Sequence, residues 1–467
     1  MGKTVLAFLF TAIATFGAEL ATDPEVAGAV RLYEAWVREQ MLYRDLPGLA
    51  VAVVVDQDVV WSKGFGFADR DKRTPVTPRT LFRMASHTKL FTATAIMQLR
   101  DAGKLNLHDP VARHLPWFRI QPAGENELPV TVEDLLTHGS GLPREAAAPY
   151  WITFQFPTRE QVEATLSTQK AAYAPQVRWK YSNLAYSLAG YIVEEASGRP
   201  WNEYVRAHIL DPLGMRSTTI DQNSPDLATG YGRRMPDGSR KIMPFTDTKG
   251  IAPAAALTSN LEDMARFVSF QFRGDAKVLR AATLREMHRV RFLQSTWTAG
   301  WGLGFSVTRR GEKVYVGHGG SLGGYKTNTS IDLEDKIGVV VLSNADDTVP
   351  DRFTTQAQEI IGKAIIKARK KPDTKRWDPA WSRYAGLYRT IWGDQHVVEL
   401  NRKLVLIDPL SDNPAESQLE LRPQDDGQFL LEGKSGGNPV GEAVRFEEEN
   451  GKVVRMIVGL SPANRVN

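Results

Sequence analysis

The sequence predicts two folded units. The first is a mixed α/β (α+β) unit whose single sheet is built from both ends of its segment around an inserted helical subdomain. The second is a smaller all-β unit. Three observations predict this. Strand-like runs open and close the first part of the chain, and helical periodicity fills its middle. Near Lys367 the character changes to a basic, proline-containing stretch. Beyond it, short β-rich runs alternate with turn signals, the pattern of a small barrel or sandwich.

In chain order, residues 24–42 have helical spacing, with Val26, Val30, Tyr33 and Trp36 among the apolar positions. Residues 49–55 and 59–65 are β-rich runs around Asp56-Gln57-Asp58, which reads as a hairpin. A helix runs from Ser86 to a stop at Gly103, with Phe91, Ala95, Ile96 and Leu99 on one face. Residues 109–270 are mostly helical, with capping-type starts at Thr131 and Ser259. Strand-like runs follow at 304–308, 313–317, 326–331 and 337–342, then a helix at 354–367. The tail contains runs at 384–388, 396–400, 403–407, 418–421, 428–431, 443–446 and 452–458. Asn450-Gly451 is a strong hairpin turn between the last two.

A length of 467 residues suggests about three domains at roughly 150 residues each, but the pattern resolves into two. The boundaries read as a leader at 1–21, a first unit at 22–368, a basic linker at 369–378 and the β-rich unit at 379–467. The 42% hydrophobic and 24% charged content excludes a disordered tail and a polytopic membrane protein. A net charge of +4 is too small to argue for nucleic acid, and no RRM, zinc-finger or basic-zipper pattern occurs. With no cysteine there is no disulfide framework, thiol nucleophile or Cys-ligated zinc. The leader has Lys3, an uncharged and mostly apolar run over 4–16, and small residues around Gly17. That run suits a signal peptide and export to the periplasm or outside the cell, and no later segment is apolar enough to span a bilayer.

Ser86-His87-Thr88-Lys89 carries the chemistry. Residues three apart share a helix face, so Lys89 can reach the Ser86 hydroxyl. A helix start supplies spare N–H groups for an oxyanion. A serine needs a base, and burial can turn a lysine into one. The spacing alone is weak, because Ser167-Thr168-Gln169-Lys170 also fits and reads as surface. Two further pieces add weight. Tyr181-Ser182-Asn183 places a proton-relaying tyrosine and a hydrogen-bonding amide before a helical run. His318-Gly319-Gly320 follows the 313–317 strand, with glycines that let a ligand approach and the Ser321 N–H as a second oxyanion donor.

Ser-x-x-Lys, Tyr-x-Asn and His-x-Gly in this order resemble the serine β-lactamase and penicillin-binding-protein superfamily. Leu81-Phe82-Arg83-Met84-Ala85 before the serine resembles it too, as do Leu135 through Pro143, Ile-Leu-Asp-Pro-Leu-Gly-Met at 209–215 and Gly300-Trp301-Gly302-Leu303-Gly304. The similarity covers residues 24–368 and lies nearest class C β-lactamases, D-alanyl-D-alanine carboxypeptidases and esterases of that fold. It implies an antiparallel sheet flanked by helices, with an inserted helical subdomain. It implies Ser86 as acylated nucleophile, Lys89 and Tyr181 as the proton-transfer pair, Asn183 as a substrate ligand and His318 as the third-motif residue. The Ser86 and Ser321 amides would form the oxyanion hole, with Gly319 and Gly320 beside them. Many β-lactamases have Lys-Thr-Gly where this chain has His318-Gly319-Gly320, and losing that cation favours ester or peptide hydrolysis.

The implied activity is a serine hydrolase that cleaves an amide or ester of a small molecule or peptide. It needs no metal or organic cofactor, no nucleic-acid partner and no membrane span once the leader is removed; oligomeric state stays open. The alternative is a penicillin-type sensor that is acylated without turnover, with the β-rich unit as its interaction module. Gly319-Gly320-Ser321-Leu322-Gly323 also fits the Gly-x-Ser-x-Gly elbow of α/β-hydrolases, but that elbow needs a helix next, and 325–331 reads as a strand. Tyr150, Trp151, Phe154 and Phe156 read as core packing rather than an acyl-group wall, and His138 as a structural turn histidine.

Overall fold

The computed structural model describes residues 16–125, 127–220, 223–369, 377–400, 402–408, 418–433 and 439–466. Most of the leader and residues 370–376 of the basic stretch lie outside the described residues. The chain divides into two compact units, Met1–Arg369 and Lys370–Asn467. Among the described residues, no helix is long and apolar enough to cross a membrane.

The first unit is built on a nine-stranded sheet, but not on a single sheet as expected: Phe82–Arg83, Leu257–Ser259 and Thr219–Ile220 form a second small sheet, and Tyr231–Arg234 with Arg240–Ile242 a third. The spatial order of the nine strands is Thr74–Pro75, Asp58–Asp69, Gly48–Val55, Ile337–Ser343, Tyr325–Asp332, Lys313–Leu322, Ser306–Arg310, Ala299–Trp301 and Phe292–Leu293. Every neighbouring pair is antiparallel. The two ends of the segment meet at the centre, with Leu49 opposite Ser343 and Val55 opposite Ile337. Side chains alternate across a strand, so the continuous apolar run in Gly48–Val55 serves two cores. Leu49, Val51, Val53 and Val55 pack with Tyr33 and Val37 of the Pro24–Arg44 helix and Phe353 of the Pro350–Ala357 helix. Ala50, Ala52 and Val54 face the larger core, which includes Phe91 and Ile96 of the Thr88–Asp101 helix and Phe267 of the Leu261–Arg273 helix.

Three local expectations need correction. The helix placed at 354–367 starts at Pro350, because proline suits a first helical turn, whose N–H has no intrahelical partner. The cap placed at Ser259 belongs to Asn260, whose Oδ1 accepts from the Asp263 N–H at 3.0 Å. The strand placed at 313–317 continues to Leu322, so His318 through Ser321 lie within it rather than after it. The Thr131 cap forms as a full capping box with Asp134.

The second unit is a closed barrel of eight strands, each paired with its sequence neighbours. The first and last strands close it, with Tyr388 opposite Arg465. Val397, Leu406, Leu421, Leu431, Val444 and Met456 are among the side chains that fill it. Asn450 and Gly451 both have positive φ, 51° and 74°, as the tight hairpin between Ala443–Glu449 and Lys452–Val458 requires. The closing strand Ser461–Arg465 was not among the sequence-predicted runs, because Pro462 and three other polar or charged residues leave only Ala463 buried. The first barrel strand begins at Gly386, since Tyr384 ends a 3₁₀ turn.

Candidate active site

Ser86 lies in the 3₁₀ turn Ala85–His87, which runs directly into the Thr88–Asp101 helix. Ala85, just before it, holds a φ of 49°, a strained left-handed conformation for a residue with a Cβ. One helical turn on, the fully buried Lys89 places Nζ 3.3 Å from Ser86 Oγ. Nζ also donates to Asn183 Oδ1 at 2.7 Å and to the Ala254 carbonyl at 3.0 Å. Tyr181 donates its hydroxyl to Ser86 Oγ at 2.8 Å. Burial pulls the Lys89 amine well below its ordinary pKa, opposed by Glu145 and reinforced by Arg144. Burial also raises the Tyr181 phenol, while its bond to Ser86 lowers it. One serine thus sits between an amine biased towards neutrality and a phenol biased towards keeping its proton.

A family model described as Beta-lactamase matches residues 33–363. The chain belongs to the beta-lactamase family. Among curated relatives, Protein flp of Staphylococcus aureus (strain MW2) is 29% identical over 312 residues, 64% of this chain and 60% of that protein. This chain therefore spans less than two thirds of that relative's length. Among solved structures, the octameric penicillin-binding protein homologue from Pyrococcus abyssi is 27% identical with a TM-score of 0.64, covering 93% of this chain and 99% of that one. The beta-lactamase/D-alanine carboxypeptidase from Yersinia pestis, complexed with citrate, is 25% identical with a TM-score of 0.58, covering 70% and 95%.

His318-Gly319-Gly320 lies on a strand that outruns its neighbour. Pairing with Ser306–Arg310 ends at Gly317, so among the described residues His318 through Leu322 have no strand on that edge. Backbone groups two residues apart point to one edge. Gly317 turns its carbonyl to Ser306 Oγ on that side, so Ser321 presents its N–H to the open edge. Gly320 lets this strand approach the turn that carries Ser86: a Cβ there would lie 2.2 Å from the Met84 carbonyl oxygen. Gly319 is open, with nothing closer than 3.5 Å to such an atom.

His318 is buried, with its ring centroid 5.3 Å from that of Trp301 and 6.3 Å from that of Tyr181. Burial, then Lys89 and His87, hold its pKa well below 6.5, so it is neutral and does not replace the family's cationic lysine. Asn183 has both ends of its amide occupied, Oδ1 by Lys89 and Nδ2 by Glu145. His138 sits at a helix C-terminus with φ 59°, and its Nδ1 accepts from the Ser182 N–H at 3.1 Å. That bond anchors the Tyr181 loop, in keeping with a turn histidine. Tyr150 and Phe156 are buried with ring centroids 4.6 Å apart, as core packing requires, but Trp151 is exposed and Phe154 only half-buried, so the expectation holds for two of the four. Ser167 and Lys170 of the second Ser-x-x-Lys are exposed.

Sequence reasoning passed over Glu145, Arg144 and His87. The first two directly follow the quoted Leu135–Pro143 stretch, which was the available signal. His87 clamps the Ala85–His87 turn to the sheet, with Nδ1 2.8 Å from Thr327 Oγ1 and Nε2 2.7 Å from Thr329 Oγ1. Thr327 donates to the Met84 carbonyl, so Nδ1 carries the ring proton and Thr329 donates to Nε2. Burial lowers the His87 pKa from 6.5 to about 3. The folded value lies below the unfolded one, so protonation favours unfolding. The neutral ring's stabilisation is complete above pH ~6.5 and is lost as pH falls towards 3. Near pH ~4.5 this one residue costs about 2–3 kcal/mol. His87→Gln is expected to remove that much of the stability difference between neutral and acid pH in urea unfolding; an unchanged difference would assign the acid sensitivity elsewhere.

Proposed function

We propose that this chain is a serine hydrolase that cleaves an amide or ester bond through an acyl-enzyme on Ser86. The observation that carries this is Ser86 Oγ held within hydrogen-bond reach of both Lys89 and Tyr181. Membership of the beta-lactamase family supports it. Ser86 Oγ attacks the carbonyl carbon while its proton passes to Lys89. The oxyanion forms against the Ser86 and Ser321 N–H groups. The proton then passes from Lys89, through the Tyr181 hydroxyl, to the departing amine or alcohol as its bond to carbon breaks. Water adds to the Ser86 ester, gives a proton back through Lys89, and releases the acid as Ser86 regains its hydrogen. Lys89 is the base in this scheme, because burial favours its neutral amine and disfavours a Tyr181 phenolate.

The neutral His318 supplies no cation for a substrate carboxylate, which favours esters and amides without a free carboxylate over β-lactams. The D-amino acid amidase from Ochrobactrum anthropi, 24% identical with a TM-score of 0.61, shares this fold. The apolar run with its charged start within residues 1–21 supports export, which N-terminal sequencing of the secreted protein tests. The deciding experiment is intact mass after exposure to benzylpenicillin and to p-nitrophenyl acetate, for wild type and Ser86→Ala. A wild-type adduct that forms, decays with turnover and is absent from Ser86→Ala is expected. An adduct that survives Ser86→Ala refutes the nucleophile, and one that persists for hours on wild type selects the sensor alternative.

A further inference from the structure

The amide of Asn183 is a link in a chain that leads away from the serine. Its Nδ2 lies 2.9 and 3.1 Å from the two carboxylate oxygens of Glu145. Glu145 also accepts from the Tyr150 hydroxyl and from Arg144 Nε at 3.1 Å. The backbone fixes this arrangement. The Arg144 carbonyl accepts the Asn183 N–H at 2.7 Å and the Leu184 N–H at 3.3 Å, capping the helix that carries Asn183. The Glu145 carbonyl accepts from Gln169 Nε2 at 3.0 Å.

An ionised carboxylate accepts and cannot donate, so it forces the Asn183 NH₂ towards itself and the amide oxygen towards Lys89. A neutral lysine has two N–H groups and one lone pair. Asn183 Oδ1 and the Ala254 carbonyl each take one N–H. The position left over faces Ser86 Oγ, and there the lone pair can take the serine proton. We propose that Glu145 is a positioning residue for proton transfer: it fixes the Asn183 amide, and the amide fixes the direction of the Lys89 lone pair.

The same placement couples charge to the base. Glu145 favours the ammonium form of Lys89, and Arg144, with its guanidinium 5.1 Å from the Tyr181 ring centroid, disfavours it. The other groups around Lys89 are Tyr181 and Tyr186, with ring centroids 4.9 and 5.4 Å from Nζ, together with His138 and His318. Burial keeps both phenols protonated and both imidazoles neutral at neutral pH. The Arg144–Glu145 pair is therefore what remains to set the acid limb.

This rests on the acyl-enzyme reading of Ser86. The test is the rate of Ser86 phosphonylation by a fluorophosphonate probe, followed by intact mass across pH. Glu145→Gln is expected to move the acid limb down by about one pH unit, and Arg144→Gln to move it up by a similar or smaller step. Glu145→Asp keeps the wild-type limb. Glu145→Leu, which leaves the Asn183 amide unanchored, lowers the plateau about tenfold. A merely structural role would lower the folded fraction without moving the limb. Wild type that is not labelled at Ser86 sinks the hydrolase reading itself. Labelled wild type with a Glu145→Leu plateau equal to its own overturns the positioning role, and a coincident Glu145→Gln limb overturns the charge coupling. Should Glu145→Leu fail to fold by circular dichroism, an Asn183→Ala plateau equal to that of wild type overturns the positioning role instead.

Discussion

Lys89→Met is expected to slow acylation of Ser86 by roughly three orders of magnitude, within the range of a lost general base. Methionine matches the lysine stem in volume, so the Thr88–Asp101 helix keeps its packing. What goes is the amine 3.3 Å from Ser86 Oγ, the proton acceptor of the proposed mechanism. Asn183 Oδ1 and the Ala254 carbonyl lose their donor, at about 1–3 kcal/mol each if left dry. Removing a buried amine offsets part of that, since its burial is what pulls the Lys89 pKa down. Tyr181→Phe provides the contrast. It removes a hydroxyl that donates to Ser86 and that the proposed mechanism uses as a proton relay, and is expected to cost about tenfold to a hundredfold. Single-turnover release of p-nitrophenol from an activated ester, on variants shown to be folded, measures both. A larger loss in Tyr181→Phe than in Lys89→Met would hand the base to the tyrosine.

The parts of this site that were legible in the sequence are those with local spacing. Ser86 and Lys89 meet because three residues make nearly one helical turn, and the Thr131–Asp134 capping box is equally local. The central sheet was legible because Leu49 to Val55 is too short and too β-branched to be anything but a buried strand, and both ends of the segment offered such runs. Glu145 was not legible in this way. Its role depends on a loop docking against the first turn of a helix 38 residues later, and nothing local to Arg144-Glu145 says which side chain lies opposite. His87 was hidden for the same reason, its two threonine partners being 240 and 242 residues away. The end of the 313–322 strand was misplaced because glycines read as a turn, whereas close approach by the Met84 carbonyl accounts for Gly320.

That close approach makes Gly320→Ala the second large effect. Gly320 has no positive φ, so alanine meets no backbone penalty and the whole cost is steric. Its methyl would lie 2.2 Å from the Met84 carbonyl oxygen and 2.3 Å from Thr327 Oγ1. The hydroxyl could rotate only by giving up its bonds to His87 and Met84, and the carbonyl belongs to the turn that presents Ser86, so strand and turn must separate. An oxyanion donor acts only when placed about 2.7–3.1 Å from the forming charge, and a shift of about 1 Å is worth roughly a hundredfold in rate. Gly320→Ala is therefore expected to lower kcat for p-nitrophenyl acetate by about 10²-fold, with an overpacking cost of about 1–3 kcal/mol in stability. Gly319→Ala tests the cause, because its methyl meets nothing nearer than 3.5 Å and is expected to cost less than about tenfold. Equal losses at both positions would mean that the edge tolerates no side chain for a reason other than the Met84 contact. A near-wild-type Gly320→Ala would mean that the oxyanion is held elsewhere than on the Ser86 and Ser321 amides.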